Sequence, residues 1–371
     1  MVVVGGATAY AMLRPGLGLA RRASRAYVPL QPWSLPPEPP ANPVELARAL
    51  IGAAVLAPSG WNAQPWRFEV ENSSIRLVAD SQRALPANDP DRRGMMVSLG
   101  AALENLLVAA RAWGLQPTVT YFPFEGAGGV VAEVTWTGGE SRRDRGLFAA
   151  IPERRTNRRE YDRRGLLPEH RAQLGAQVAE GPRLHWLDEP RALRELADLA
   201  RDAVHAQVMD PRAQREQYAW TRFDDQAHRR GDGVPVDALE LGGVTRWFAG
   251  RCLDPDSWFV RFGAASAAGQ ARDGIRSSGA AVLVTAPKRD EAQWLMAGQA
   301  CERFALKATQ LGLAHQPVNA PIEVERFRGD LLRRFGARGE EPLMLLRLGR
   351  AKRCPHTPRR AVALVASFRT T

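Results

Sequence analysis

Hydrophobic positions follow two different periods along this chain, and together the periods predict a protein of mixed helix and sheet. Apolar residues recur at helical spacing through 98–115 and again through 294–312. Apolar and polar residues alternate through 68–79, with a turn in the middle, which is typical of a β-hairpin. The continuous apolar run 280–286 predicts a buried strand.

Local signals add further elements around these segments. Asn42, Pro43 and Glu45 provide a cap, a first-turn proline and an acidic third position, so a helix is predicted from Pro43 to about Ala57. The remaining predicted elements are strands near 118–122, 130–136 and 184–187 and helices near 168–178 and 191–208.

The two long helical segments resemble each other. SLGAALENLLVAARAWGLQP and MAGQACERFALKATQLGLAHQP share a small-residue start, an acidic residue at Glu104 or Glu302, and a closing Gly-Leu. A repeat at this separation indicates duplication of a whole α+β unit. Two unrelated amphipathic helices remain an alternative, because helical periodicity is common.

These patterns divide the chain into an N-terminal arm, 1–41, a first unit, 42–146, and a second unit, 147–371. The arm is apolar up to Leu13 and later proline-rich, so it is either the remnant of an export signal or anchor or a disordered or packed extension. The location of the protein, cytoplasmic or periplasmic and membrane-anchored, stays open. Residues 210–260 carry Trp220, Trp247 and Trp258 among Gly and Asp, which suggests a lid-like insertion without regular structure.

Composition narrows the classes of partner. The 371 residues are 45% hydrophobic and 25% charged, as in ordinary globular proteins, and the net charge is +11. A basic chain can attract nucleic acid, anionic lipid or phosphorylated small molecules. The sequence has no zinc finger, no RNA-recognition signature and no long Lys/Arg run, so no nucleic-acid partner is expected. The three cysteines are far apart and the six histidines scattered, so no metal site is expected.

Two stretches carry candidate binding chemistry. The segment APSGWNAQPW, 57–66, joins a predicted helix to a predicted strand and places short polar groups on a turn that can hold a polar ligand. Composition alone also fits a plain connection. The run RRTNRR, 154–159, supplies guanidinium groups, which bind phosphate by paired hydrogen bonds, although a solvated basic face is the alternative.

In order, PSGWNAQPWRF, ENLLVAARAWGL, RRTNRREY and LLRLGR…PHTPRRAV resemble the nitroreductase-type FMN oxidoreductases, and most closely the Acg family. The resemblance covers roughly 42–365. It implies an α+β, nitroreductase-like fold, internally duplicated so that one chain mimics the nitroreductase dimer. The chain is then expected to be a monomer acting as a pseudo-dimer.

In the dimeric relatives each FMN lies at the subunit interface, between an RRS-like motif and a PSxxN-like loop from opposite subunits. Here the loop is found only in the first half and RRTNR only in the second, so the resemblance implies one FMN site rather than two. The residues that it places on FMN are Ser59, Asn62 and Gln64 in the loop, Arg154, Arg155, Thr156 and Arg158 in the basic run, Gln316, Pro317 and Val318 with their backbone beside the reactive flavin nitrogen, and Arg359 and Arg360 near the C-terminus.

The resemblance implies an FMN-dependent oxidoreductase that passes hydride from NAD(P)H to a nitroaromatic or quinone-like acceptor. No catalytic side chain is named, because the flavin carries the electrons and solvent can supply protons. Trp61 departs from the family pattern. An indole stacked on the flavin would block its substrate face, so a flavin-sequestering protein with little turnover is the alternative; core packing beside Trp66 is the other interpretation of Trp61.

Overall fold

A computed structural model describes residues 33–71, 73–124, 129–139, 143–178, 181–224, 227, 229–241 and 248–369. The apolar N-terminal stretch and Trp247 lie outside the described residues. The first half comprises α1 (Pro43–Ala54), β1 (Trp66–Glu71), β2 (Ser74–Ala79), α2 (Arg93–Ala112), β3 (Leu115–Tyr121), β4 (Val130–Gly138) and α3 (Arg145–Ala150).

The second half follows with a longer set of elements. It comprises α4 (Pro168–Gly175), β5 (Arg183–Leu187), α5 (Pro190–Met209), α6 (Pro211–Ala219), β6 (Thr221–Arg222), β7 (Val234–Pro235), α7 (Ala249–Cys252), α8 (Val260–Arg276), β8 (Ala280–Ala286), α9 (Glu291–Gln310), β9 (Ala314–Pro317), α10 (Ala320–Glu323), α11 (Arg328–Arg334), β10 (Glu341–Gly349) and β11 (Ala366–Arg369).

The predicted elements are present, and their ends have the expected chemistry. Asn42 caps α1 by accepting hydrogen bonds from the amides of Val44 and Glu45. The interpretation of 210–260 as irregular is wrong at its start, because Pro211–Ala219 forms a regular helix. Asp210 ends α5 with extended backbone, and its carboxylate then caps α6 through the amide of Arg212. One aspartate therefore both ends a helix and begins the next.

The two halves have the same sheet topology. The first sheet has the order β1-β2-β4-β3 and the second β5-β8-β10-β9, and every neighbouring pair in both series is antiparallel. In both, a long helix lies between the second and third strands in chain order, α2 in the first half and α9 in the second. The shared order confirms the internal duplication that the helix repeat predicts.

The long helices α2 and α9 pack against each other between the sheets, and two glycines allow their close approach. A Cβ added to Gly100 would lie 2.9 Å from the Cα of Gly298 and would overlap the carbonyl oxygen of Leu295. A Cβ added to Gly298 would overlap the carbonyl oxygen of Val97 in the same way. These glycines occupy equivalent places in the repeat, so the pseudo-twofold axis passes close to this contact. Although α2 is apolar enough to span a membrane, 94% of its apolar window is buried inside the protein, as expected for a core helix.

The halves differ in two ways that position the site. The C-terminal strand β11 crosses back to the first sheet and pairs in parallel with β1. In the first half a tight turn joins the first two strands, whereas in the second half α5 to α8 are inserted between β5 and β8. The crossing chain and the insertion therefore bring distant segments against the 57–66 loop.

Candidate functional site

The 57–66 loop has an unusual backbone that is held by partners from far along the chain. Trp61, Asn62 and Gln64 have φ of 48°, 53° and 53°, a region that residues other than glycine seldom adopt. Asn62 Nδ2 donates to the carbonyls of Gly233 (2.8 Å) and Pro358 (2.9 Å). The insertion and the C-terminal segment therefore stabilise the strained loop from two sides.

A pocket beside this loop is lined by guanidinium groups from the 154–159 run and from the C-terminal segment. Arg154, Arg155 and Arg158 line it together with Ser59 and Arg359. Within the described chain, Arg155 Nε and one terminal nitrogen of Arg154 are buried without a hydrogen-bond partner. Because buried polar groups are nearly always paired, these donors indicate a site for an anionic oxygen-rich ligand such as a phosphate.

His356 adds a further donor to the same pocket. Its Nε2 lies 2.6 Å from Arg155, and burial together with that guanidinium lowers the pKa of His356 to about 4. Arginine can only donate, so Nε2 accepts and the proton lies on Nδ1, which is buried with no partner among the described residues. Trp33 stacks on this imidazole with ring centroids 4.0 Å apart. The part of the arm that contains Trp33 therefore covers one wall of the pocket.

Two buried titratable side chains lie beneath the pocket, Glu302 on α9 and His315 on β9. Arg154 Nε lies 3.3 Å from Glu302 Oε1, and burial raises the pKa of Glu302 to about 7. Burial and the charge of Arg154 lower the pKa of His315 to about 3, so this imidazole is neutral. Arg154 is therefore paired with a carboxyl group, that of Glu302, whose pKa lies near 7.

A cavity of about 380 Å³ continues from the pocket into the interior. Trp61 lines both spaces, whereas Trp66 is fully buried in the core of the first half. The core-packing interpretation of Trp61 is therefore wrong. Gln316, Pro317 and Val318 line the cavity, but the amide of Val318 donates to the carbonyl of Leu345 (2.8 Å) and proline has no N–H. These two residues offer no backbone donor to a ligand.

Most of the sequence-predicted site residues come together here, and two do not. Ser59, Asn62, Arg154, Arg155, Thr156, Arg158, Gln316, Pro317, Val318 and Arg359 line the pocket or the cavity. Gln64 lies behind the loop, where its Nε2 donates to Gly231 and its Oε1 accepts from the amide of Arg360. The Arg360 side chain turns away and donates to the carbonyl of Leu364. These two residues support the loop and line neither the pocket nor the cavity, and their contact with a ligand stays a prediction.

Several lining residues were not among those predicted from the sequence. Trp33, Val234 and His356 line the pocket, and Glu302 and His315 line the cavity. Glu302 belongs to the repeated helical segment, His315 directly precedes Gln316, and His356 lies within the PHTPRR segment, so these three lie beside signals in the sequence. Trp33 and Val234 have no such signal nearby.

The equivalent region in the other half of the repeat contains ion pairs instead of unpartnered donors. Glu104, which corresponds to Glu302, accepts from Arg303 (3.0 Å), and Arg303 also donates to Asp144 at 2.7 Å. Arg111 lies 3.4 Å from both carboxylates. In this region the guanidinium groups of Arg111 and Arg303 are therefore neutralised by protein carboxylates.

The duplicated α+β fold and the basic pocket between its halves define a fused, nitroreductase-like protein. No protein-family model matches the chain. The chain is 32% identical over 338 residues to "Putative NAD(P)H nitroreductase Rv3131" of Mycobacterium tuberculosis, which is 87% of this chain and 92% of that relative. It is also 34% identical over 79 residues to "Putative NAD(P)H nitroreductase acg" of the same organism, 21% of this chain and 24% of that one. The chain belongs to this family of nitroreductase-like proteins, the Acg family.

Solved structures give weaker similarities. The FMN-dependent nitroreductase NfnB from Mycobacterium smegmatis in complex with NADPH matches 61% of this chain and 99% of its own, with 12% identity and a TM-score of 0.38. A nitroreductase from Anabaena variabilis matches 75% of this chain and 69% of its own, with 13% identity and a TM-score of 0.40.

Proposed function

We propose that the protein is an FMN-dependent oxidoreductase that takes electrons from NAD(P)H and passes them to a small acceptor such as a nitroaromatic or a quinone. The observation that carries the proposal is the set of buried guanidinium nitrogens of Arg154 and Arg155 that have no partner among the described residues, at the mouth of a 380 Å³ cavity. Relatives named NAD(P)H nitroreductases, and a solved nitroreductase named as FMN-dependent, support the choice of cofactor.

The residues present fit FMN. Arg155 and Arg158, with the Nδ1–H of His356, would hold the phosphate, while Ser59 and Thr156 line the passage into the cavity. When bound, the flavin would supply two-electron transfer, and the protein would orient it and exclude water. The amide of Val318 is bonded and Pro317 has none, so the backbone of these two residues cannot donate a hydrogen bond to the ring.

The test is a flavin spectrum followed by anaerobic mixing with NADPH or NADH. Protein that copurifies with FMN, and whose flavin is bleached by either dinucleotide in a single turnover, supports the proposal. Protein that neither carries nor binds FMN contradicts it.

A second function is favoured by one observation, the place of Trp61 on the wall of both spaces. Stacked on the ring, the indole would block the approach of a dinucleotide, and the protein would sequester flavin instead of turning it over. Flavin that dithionite reduces but NADPH and NADH do not would favour this function.

We expect flavin titration of the apoprotein to saturate at one FMN per chain. Glu104 and Asp144 already pair with Arg303 and Arg111 in the repeat-related region, so these two guanidinium groups are neutralised and are not left to bind a second phosphate. Isothermal titration calorimetry gives the stoichiometry directly. Two equivalent FMN molecules per chain would contradict the assignment of one site.

Trp61→Ser should weaken FMN binding and speed reduction by NADPH. Loss of the aromatic contact costs about 0.5–1.5 kcal/mol, or about two- to tenfold in affinity, while removal of the indole uncovers the ring. Stopped-flow absorbance and FMN titration measure the two quantities, and the matched control is Trp258→Ser, which is 80% exposed. If neither quantity changes, Trp61 does not contact the flavin.

A further inference from the structure

The far end of the cavity is built from polar side chains that the binding of FMN does not require. Gln207 at the end of α5, Gln214 and Gln217 on α6, Glu323 on α10 and Asn88 before α2 all line it. The opposite end holds Thr156 and Arg158, so the cavity joins two chemically different regions.

One hydrogen-bonded chain connects most of these groups. Asn88 Oδ1 accepts from Gln207 Nε2 (3.1 Å) and Gln217 Nε2 (2.9 Å), and Gln207 Nε2 also donates to Glu323 Oε2 at 2.5 Å. Gln214 precedes Gln217 by one helical turn, so the two amides share a face of α6. The network therefore fixes the positions of the groups around this end.

Gln214 is the member whose hydrogen bonding is incomplete. The residue is 1% exposed and its Nε2 donates to the carbonyl of Leu253 (2.5 Å), yet within the described chain its Oε1 has no partner. A buried carbonyl oxygen without a donor is costly, which indicates that a ligand donor belongs there. No hydrogen bond to Oε1 of Glu323 is formed among the described residues either.

The charge at this end disfavours anions. The pKa of Glu323 is raised to about 7, mainly by burial, with Asp89 and Glu216 adding to the rise and Gln207 and Arg93 opposing it. Arg93 also lines the cavity but is already paired with Glu341 at 3.0 Å. A carboxylate ligand would therefore meet Glu323, Asp89 and an amide oxygen without an unpaired arginine, whereas a neutral group with both a donor and an acceptor would satisfy the free atoms.

We propose that this end of the cavity, the amide subsite, binds a neutral amide group on an aromatic electron acceptor. The ligand N–H donates to Gln214 Oε1 and its carbonyl accepts from the Glu323 carboxyl. The inference rests on the proposed function only in taking the ligand to be the electron acceptor. It assigns the acceptor to uncharged aromatic amides and excludes aromatic carboxylates.

A matched pair of probes tests this assignment, 4-nitrobenzamide against 4-nitrobenzoate, titrated calorimetrically into the FMN-loaded, oxidised protein. We expect the amide to bind at least about tenfold more tightly, which corresponds to about one hydrogen bond. Equal affinity, or tighter binding of 4-nitrobenzoate, would overturn the proposal.

Two variants locate the effect. Gln214→Met keeps the length of the side chain but removes the acceptor, and should lower affinity for 4-nitrobenzamide by about five- to tenfold. Glu323→Gln keeps a neutral donor, so amide affinity should stay within about twofold while affinity for 4-nitrobenzoate rises. The control is Glu325→Gln, an exposed residue close by that does not line the cavity.

Melting temperature separates a lost contact from a lost fold, and Glu323→Gln keeps the test informative if Gln214→Met does not fold. Amide affinity that survives Gln214→Met in folded protein, with nitrobenzoate affinity unchanged in Glu323→Gln, would contradict the subsite. Repeating the titration without FMN distinguishes the two proposals. An amide preference in protein that never binds flavin would sustain the subsite and refute the cofactor.

Discussion

An Arg155→Ala, Arg158→Ala double variant should bind FMN about 10²- to 10⁴-fold more weakly than the natural protein. Each change removes a charge-assisted contact worth about 1.5–3 kcal/mol, and both guanidinium groups line the pocket. Because neighbouring charges interact, the binding free energies lost in the two single variants need not add, and their sum is an approximate upper limit on the loss in the double variant. Fluorescence quenching of added FMN measures the affinity.

Riboflavin, which lacks the phosphate, provides the internal control for this experiment. Its affinity should change little in the double variant, because the two arginines would act on the phosphate alone. Arg164→Ala, which removes a side chain that is 79% exposed, should leave both affinities unchanged. An equal loss for FMN and riboflavin would show that the arginines support the fold of the pocket instead of binding phosphate.

Arg154 is a poor choice for the same test. The residue is 2% exposed and forms an ion pair with buried Glu302, so its removal would leave a buried carboxylate without a partner. Loss of FMN binding in that variant could then follow from unfolding alone.

Gly100→Ala should destabilise the protein by about 1–3 kcal/mol or more, as should Gly298→Ala. At either position the added methyl group would overlap a backbone carbonyl of the opposite helix, that of Leu295 or Val97, and backbone cannot rotate away as a side chain can. Relief therefore requires the two central helices to move apart, which opens the core that both halves share. Urea unfolding followed by circular dichroism measures the change.

Gly269→Ala is the matched control for this stability prediction. Gly269 also lies inside a helix, α8, but an added Cβ would meet nothing within 4 Å. Because alanine favours the helix over glycine, this variant should be neutral or stabilised by about 0.5–1 kcal/mol. If Gly100→Ala behaves like Gly269→Ala, the close helix contact is not what limits stability.

The pseudo-twofold relation explains why one half of the chain cannot be interpreted alone. Glu104 and Glu302 hold the same place in the repeat, and burial raises the pKa of both. Glu104 is surrounded by Arg111 and Arg303, which also pair with Asp144, whereas Glu302 faces Arg154 at the edge of the cavity. The equivalent helices α2 and α9 therefore place their glutamates in two different environments: Glu104 lies in a network of ion pairs, and Glu302 lies at the edge of the cavity.

The sequence by itself determined the elements, the repeat and most of the residues that line the pocket and the cavity. Helical and strand periodicities are local properties of the sequence, so they can be recognised without knowing how the elements pack. The 57–66 loop and the 154–159 run were recognisable because each concentrates its polar or basic groups within a few residues.

Only the tertiary structure decided which neighbouring side chains face the pocket. Arg359 lines it while Arg360 turns toward Leu364, a choice set by the packing of the C-terminal segment against the loop. The amide subsite joins residues of α5 and α6 to Glu323 on α10, which is 116 positions from Gln207. Side-chain direction and the contact of distant segments arise from the packing of whole elements, and no short stretch of sequence contains that information.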